Sequence, residues 1–132
     1  MTATPDARLP AWIRDAAHVA GNGELMWPRP GAIDAAEWLA QNGMAIWGGE
    51  VYTGRGPFMA VMVGEWRTEP ELERNEEWHT YIQRGLAQAL AAITNHPLDS
   101  GAEAAGRTFY FLSYHSAAGF PGEARRIGSD HD

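Results

Sequence analysis

The chain has neither cysteine nor lysine among its 132 residues, and it has no long apolar run. Without cysteine it forms no disulfide, uses no thiol in catalysis and binds no zinc or iron–sulfur cluster through thiolates. No stretch approaches the roughly 18 apolar residues of a membrane-spanning helix, and the first residues lack the apolar centre of a signal peptide. We therefore expect a cytoplasmic protein with no membrane partner.

Positive charge is also scarce. Ten arginines stand against seventeen acidic residues, so the net charge is −7. A surface of that sign repels the phosphate backbone, and we expect no nucleic-acid partner. A basic protein is attracted instead. At this length the chain is expected to form one compact core that buries roughly two-thirds of its unfolded surface, so folding needs neither a metal nor a cofactor.

Two apolar runs separated by turn-forming residues predict a β-hairpin in the middle of the chain. The runs cover residues 44–52 and 58–66, and Thr-Gly-Arg-Gly-Pro at 53–57 joins them. The paired glycines Gly48 and Gly49 interrupt the first run. They indicate a bulge, which would re-aim the following Glu50 and Tyr52, or a place where another part of the chain comes close.

Two helices and a third strand complete the predicted core. Apolar residues recur with helical period over residues 32–42, and again from 71 or 75 to 95. Alternation in an aromatic run predicts a strand at 107–115. The order helix, strand, strand, helix, strand gives a two-layer α+β domain, in which a mainly antiparallel three-stranded sheet carries the helices on one face.

The chain divides into an irregular proline-rich segment, an α+β core domain and a flexible tail, at residues 1–31, 32–116 and 117–132. Residues 11–20 of the first segment predict a short helix. Pro28 and Pro30 predict extended backbone around them, since a residue before proline avoids the helical region. Trp27 is expected to cover the core as an aromatic plug.

No combination of side chains predicts a catalytic or metal site. Glu76 and His79 have the spacing that places both on one helix face, but a helix-bundle metal site needs a second such pair, and the chain has none. Ser113 and His115 could join an acid in a triad, yet no nucleophile elbow surrounds Ser113. We predict a protein that is not an enzyme, with no catalytic residue, metal ligand or cofactor.

An acidic run follows the second strand of the hairpin. Six acids and two arginines lie between residues 65 and 77, and Trp66 stands at the start of the run. An aromatic residue rimmed by carboxylates is typical of a protein-binding hot spot. Two other interpretations remain, because acids suit the start of a helix and a tryptophan can fold back over a strand end. The predicted partner-binding residues are Glu65, Trp66, Glu69, Glu73, Glu76 and Glu77.

Four stretches together resemble the bacterial polymorphic-toxin immunity proteins, specifically the immunity protein 40 family. They are the helix end Asn42-Gly43, MAIWGGEVY at 44–52, WHTYIQR at 78–84 and TFYFLSY at 108–114. The resemblance covers about residues 32–114. It implies a small cytoplasmic protein, not an enzyme, that binds and neutralises a cognate toxin domain, usually by covering the active site of that toxin.

Two other functions stay open at this point. The first is a small-molecule-binding or enzymatic domain with a pocket between the long helix and the sheet, lined by Trp47, Tyr52, Tyr81 and Tyr110. The second is an oligomerising module, with a homodimer formed through the edge of the three-stranded sheet, because an edge strand offers unpaired amide groups.

Overall fold

The computed structural model describes residues 8–20, 23–56, 59–72, 75–95 and 108–117. In this part of the chain the elements are α1 (Ala11–Arg14), β1 (His18–Val19), β2 (Leu25–Met26), α2 (Arg29–Gln41), β3 (Ala45–Gly56), β4 (Met59–Arg67), α3 (Trp78–Asn95) and β5 (Thr108–His115). No helix among these residues combines the length and the apolar character needed to cross a bilayer.

The main sheet has the strand order β4-β3-β5, and both pairings are antiparallel. Helices α2 and α3 pack against one face of this sheet, so the predicted α+β fold is confirmed. The strands supply Val51, Tyr110 and Leu112 to the core between the layers. The helices supply Leu39, Ile93 and a set of alanines, and all of these side chains are buried. This face is called the helix-covered face below, and the opposite face is called the open face.

The residues before α2 belong to the same core. Strands β1 and β2 form a small antiparallel pair, and Trp27 directly after β2 exchanges backbone hydrogen bonds of 2.9 and 2.7 Å with Tyr110 of β5. The Trp27 side chain is 1% exposed, and its indole N–H donates to the Ile13 carbonyl at 2.9 Å. Trp27 therefore fills the core, as expected, and also ties the N-terminal residues to the sheet.

Two predictions for the N-terminal residues are wrong, the second of them only in part. The helix predicted over 11–20 is only one turn long, because the chain turns away after Asp15 and residues His18–Val19 pair with β2 instead. The extended backbone predicted around Pro28 and Pro30 is present at Pro28, with ψ 167°, but the backbone is helical from Arg29 onward. Proline is compatible with the first helical turn, where its missing N–H has no intrahelical acceptor to lose.

The remaining boundaries differ by a few residues. Helix α2 starts before residue 32 and α3 starts at Trp78, later than predicted. The cap predicted at Gly43 is confirmed by its positive φ of 81°. Strand β3 continues through Gly56, because Thr53 and Gly54 still pair with β4. Pro57 and Phe58, and the predicted tail from residue 118 onward, lie outside the described residues.

Candidate functional site

Gly48 and Gly49 of β3 are sites of close approach, as the sequence predicted. A Cβ at Gly49 would overlap the Trp66 ring and would lie 2.6 Å from the Phe111 carbonyl oxygen. A Cβ at Gly48 would lie 2.6 Å from the Trp66 carbonyl oxygen. The register of β3 against β5 shifts between Ile46 and Gly48, which is the predicted bulge. Glycine is therefore required here for the Trp66 ring to lie over the strand.

The position of Trp66 fixes which residues face away from the helices. Trp66 pairs with Gly49 and packs partly buried against the core of the helix-covered face. Successive side chains of a strand point to opposite faces. The next pair in the register, Glu50 and Glu65, therefore lies on the open face, and Phe111 of β5 lies beside Glu50. Glu65 is exposed, and Glu50 is half-buried.

Glu50 and Glu65 form a cross-strand pair of like charge. Directly opposite side chains in an antiparallel pair have Cβ atoms about 4.5–5.5 Å apart, and like charges in these positions destabilise the sheet. No residue in the described part of the chain forms an ion pair with Glu65. Like charge in this row disfavours the pairing, and a cationic group near both carboxylates would offset that effect.

A partly buried hydrogen bond on the open face joins Tyr52 to Glu50. The Tyr52 hydroxyl donates to Glu50 Oε1 at 2.6 Å. This hydrogen bond, together with partial burial and the negative charges of Glu50 and Glu24, raises the pKa of Tyr52 from 10.0 to about 12. The bond fixes one oxygen of Glu50. The carboxylate is therefore held in a defined orientation on the sheet.

The Glu50→Gln variant is expected to lower the pKa of Tyr52 toward 10, because the charged acceptor is removed. The raised pKa means that the folded protein holds this proton more tightly than the unfolded chain. The resulting stability is present below pH 10 and is lost as the pH rises toward 12. Absorbance titration of the phenolates measures the pKa directly. An unchanged tyrosine titration in Glu50→Gln, with Glu37→Gln as the control, would contradict this assignment.

Two shallow depressions adjoin Glu65 and Trp66. One, of about 210 Å³, is lined by Val51, Glu65, Trp66, Ala91, Ala92 and Asn95. The other, of about 120 Å³, is lined by Trp47, Gly48, Gly49, Glu50, Glu65, Trp66, Arg67 and Ser113. Both are smaller than the roughly 300 Å³ at which ligand pockets for drug-sized molecules begin. They suit single side chains of a partner protein better than a substrate molecule.

The four aromatic residues of the small-molecule alternative do not line one pocket. Tyr110 and Tyr81 are almost completely buried, and they belong to separate clusters of core side chains. Tyr52 lies on the open face, opposite to Tyr110, since it is bonded to Glu50. In the described residues no group of three side chains is arranged to hold a metal ion.

The other predicted partner-binding residues lie in the connection from β4 to α3. Glu76 forms a two-pronged ion pair with Arg84, with N–O distances of 2.9 and 2.7 Å, and Arg84 also donates to the Pro70 carbonyl at 2.6 Å. The Gln88 side chain binds both the N–H and the carbonyl of Glu69. These contacts hold the acidic connection against α3, which starts at Trp78.

The structure therefore separates the six predicted residues. Glu65 lies on the open face and Trp66 turns toward the helices. Glu69 and Glu77 are exposed, Glu76 is paired with Arg84, and Glu73 lies outside the described residues. Sequence reasoning did not include Glu50 among the binding residues. Its cross-strand position opposite Glu65 depends on the register, which residue spacing alone did not give.

Comparison with known proteins gives one match. No curated protein and no solved structure matches the chain. The family model of immunity protein 40 matches residues 18–113, well over half of the chain. The match takes in β1, β2 and Trp27, which the resemblance at 32–114 had left out, and it ends within β5. The chain belongs to the immunity protein 40 family.

Proposed function

We propose that this immunity protein binds a cognate toxin domain in the bacterial cytoplasm and neutralises it by covering a basic, functional surface of that toxin. The observation that carries the proposal is the cross-strand carboxylate pair of Glu50 and Glu65. The role involves no catalysis by this chain. The protein acts by occupying a surface that the toxin needs.

The carboxylate pair suits an arginine or lysine side chain of the toxin. Four carboxylate oxygens lie within one cross-strand row, and Tyr52 orients one of them. A guanidinium group donates two parallel hydrogen bonds to carboxylate oxygens, since its N–H groups form a planar fork. Binding would also remove the repulsion between Glu50 and Glu65. Part of the energy that the free protein stores in this pair is therefore recovered in the complex.

The acidic connection before α3 carries further negative charge. Glu69 and Glu77 are exposed there, and they can act at the rim of the interface. Charges at a rim mainly accelerate encounter, since they steer an oppositely charged partner. In this proposal Trp66 and Glu76 do not contact the toxin. The Trp66 ring packs over Gly49 on the helix-covered face, and Glu76 holds the connection in place through its ion pair with Arg84.

Charge reversal at Glu65 is the direct test of the surface. Glu65→Arg is expected to lower the association rate constant with the cognate toxin domain by roughly tenfold at low ionic strength. The loss should shrink at high salt, because screening weakens steering. Stopped-flow or surface plasmon resonance measurements at two salt concentrations give both quantities.

Glu37→Arg provides the matched control. Glu37 is exposed on α2, and its reversal changes the net charge by the same amount as Glu65→Arg. Equal slowing by the two variants would show that only total charge matters, and the open face would lose its role. If the wild-type protein forms no complex with the toxin domain and gives no protection when the two are co-expressed, the proposed function itself is wrong.

A further inference from the structure

The outer edge of β4 differs from the outer edge of β5. In the sheet order β4-β3-β5, each outer strand has one neighbour within the sheet. Trp27 bridges the outer side of β5 through two backbone hydrogen bonds with Tyr110. In the described part of the chain no strand pairs with the outer side of β4. The N–H and C=O groups of that side are therefore available to another extended chain.

Three consecutive apolar side chains stand exposed on β4. Val61 is 42% exposed, and Met62 and Val63 are each 48% exposed. Natural edge strands are commonly protected by lysine, by proline or by charges that point inward. Residues 61–63 have none of these three features, and the one protection that this stretch of the edge carries is a β-bulge at Val63. Such an edge combines main-chain pairing with apolar contacts on alternate sides, which is the recognition mode of strand addition.

A bulge limits the length of the partner strand. Met62 pairs with Tyr52 and Gly64 pairs with Val51, so Val63 has no opposite residue on β3. The regular ladder is interrupted there, and β4 twists more strongly at this point. Only a few residues on each side of Val63 present a regular edge. The segment that pairs with β4 is accordingly short.

We infer that the outer edge of β4 receives a short, extended, basic segment of the toxin, which adds a fourth strand to the sheet; this inference rests on the proposed function. The charge of the occupant follows from Glu65, which lies on β4, is exposed and forms no ion pair with a described residue. A strand added beside β4 places its own side chains next to Glu65. An arginine or lysine at that position is favourable, and an acid is not.

A second copy of this chain suits the edge less well. Each copy carries a net charge of −7, so association of two copies brings like charges together. A basic segment instead continues the interface at Glu50 and Glu65, because β4 carries both the edge and Glu65. The edge and the carboxylate pair then form one continuous binding surface.

Hydrogen exchange measured by mass spectrometry tests the main-chain pairing. The probe is the cognate toxin domain, added to the full chain. Exposed edge amides exchange rapidly in the protein alone. We expect peptides covering residues 59–67 to become protected in the complex. Formation of the complex without added protection in these peptides would overturn the inference, and the proposed function would stand.

Two substitutions of opposite charge at Val61 test whether the segment that pairs with β4 is basic. Val61→Lys is expected to weaken toxin affinity about tenfold, because it adds a like charge beside a basic strand and disfavours edge pairing. Val61→Glu should weaken affinity by less than about threefold. Val19→Lys and Val19→Glu are the controls, since Val19 is 55% exposed but lies on β1, and both should bind within about twofold of wild type.

Three further outcomes would show that the edge of β4 is not used, that it binds a second copy of this chain, or that the proposed function is wrong. If wild type binds the toxin and both Val61 variants bind equally well, the edge is not used and the inference fails alone. If sedimentation shows a wild-type dimer that Val61→Glu dissociates more than Val61→Lys, the occupant is a second copy and the inference fails. If wild type does not bind the toxin, the proposed function fails, and the inference fails with it.

Discussion

Trp27→Ala is expected to destabilise the protein by about 4 kcal/mol, within the range found when a large buried aromatic side chain is truncated. The Trp27 side chain is 1% exposed and lies in the main core cluster. Its removal leaves a large cavity, and it deprives the Ile13 carbonyl of the indole N–H. A loss of this size is a large fraction of the 5–15 kcal/mol that typically stabilises a domain. Urea unfolding followed by circular dichroism measures it.

Trp12→Ala is the matched control for this prediction. Trp12 belongs to the same N-terminal residues but is 58% exposed, so its truncation should change stability by no more than about 0.5 kcal/mol. Trp27→Phe separates the two contributions, because it keeps most of the apolar volume and loses the hydrogen bond, which is worth about 1 kcal/mol. If Trp27→Ala were as stable as Trp12→Ala, the N-terminal residues would not belong to the core.

Gly85→Ala is expected to destabilise the protein by about 2 kcal/mol, although alanine is the better helix former. A Cβ at Gly85 would overlap the carbonyl oxygen of Ile46 and lie 3.3 Å from the carbonyl carbon and amide nitrogen of that residue. These are backbone atoms of β3, so no rotamer change relieves the contact. Helix α3 must move away from the sheet, and the packing around Ile46 is lost.

Gly85→Ala is a decisive test because the close contact with Ile46 and helix propensity predict changes in stability of opposite sign. Helix propensity alone predicts a gain of roughly 1 kcal/mol for glycine to alanine within a helix. Ala87→Gly on the exposed side of α3 measures that propensity without the close contact, and it should cost about 1 kcal/mol. Thermal unfolding of the two variants compares them. An increase in melting temperature for Gly85→Ala would mean that α3 does not rest on the β3 backbone.

Helix α3 shows what the period of apolar residues predicts and what it does not. The apolar stripe predicted α3, and Tyr81, Ile82, Ala89 and Ile93 are buried as a stripe of this kind requires. Gly85 lies in the middle of the same buried side. In the sequence it appears only as a residue that weakens a helix. Its role depends on the distance between α3 and β3, which is a property of two elements that are far apart in the chain.

The binding surface shows the limit of the same reasoning. The acidic run around Trp66 is visible in the sequence, and it led to six partner-binding residues whose role remains a prediction. Register decides which of these side chains share a face. Trp66 lies opposite Gly49 and packs against the core on the helix-covered face. The neighbouring Glu65 therefore lies opposite Glu50 on the open face. A shift of one residue would have exchanged the two faces.

By itself, the sequence determined the α+β class, the two main helices, the three strands of the sheet and the close approach at Gly48 and Gly49. These depend on the period of apolar residues and on the local backbone preferences of glycine, both of which act within a few neighbouring residues. Only the tertiary structure decided that Trp27 pairs with Tyr110 of β5, that Glu50 lies opposite Glu65 and that β4 has exposed apolar side chains on an outer strand. Each of these depends on which distant segments pair and in what register, and residues far apart in the chain carry no local signal of that choice.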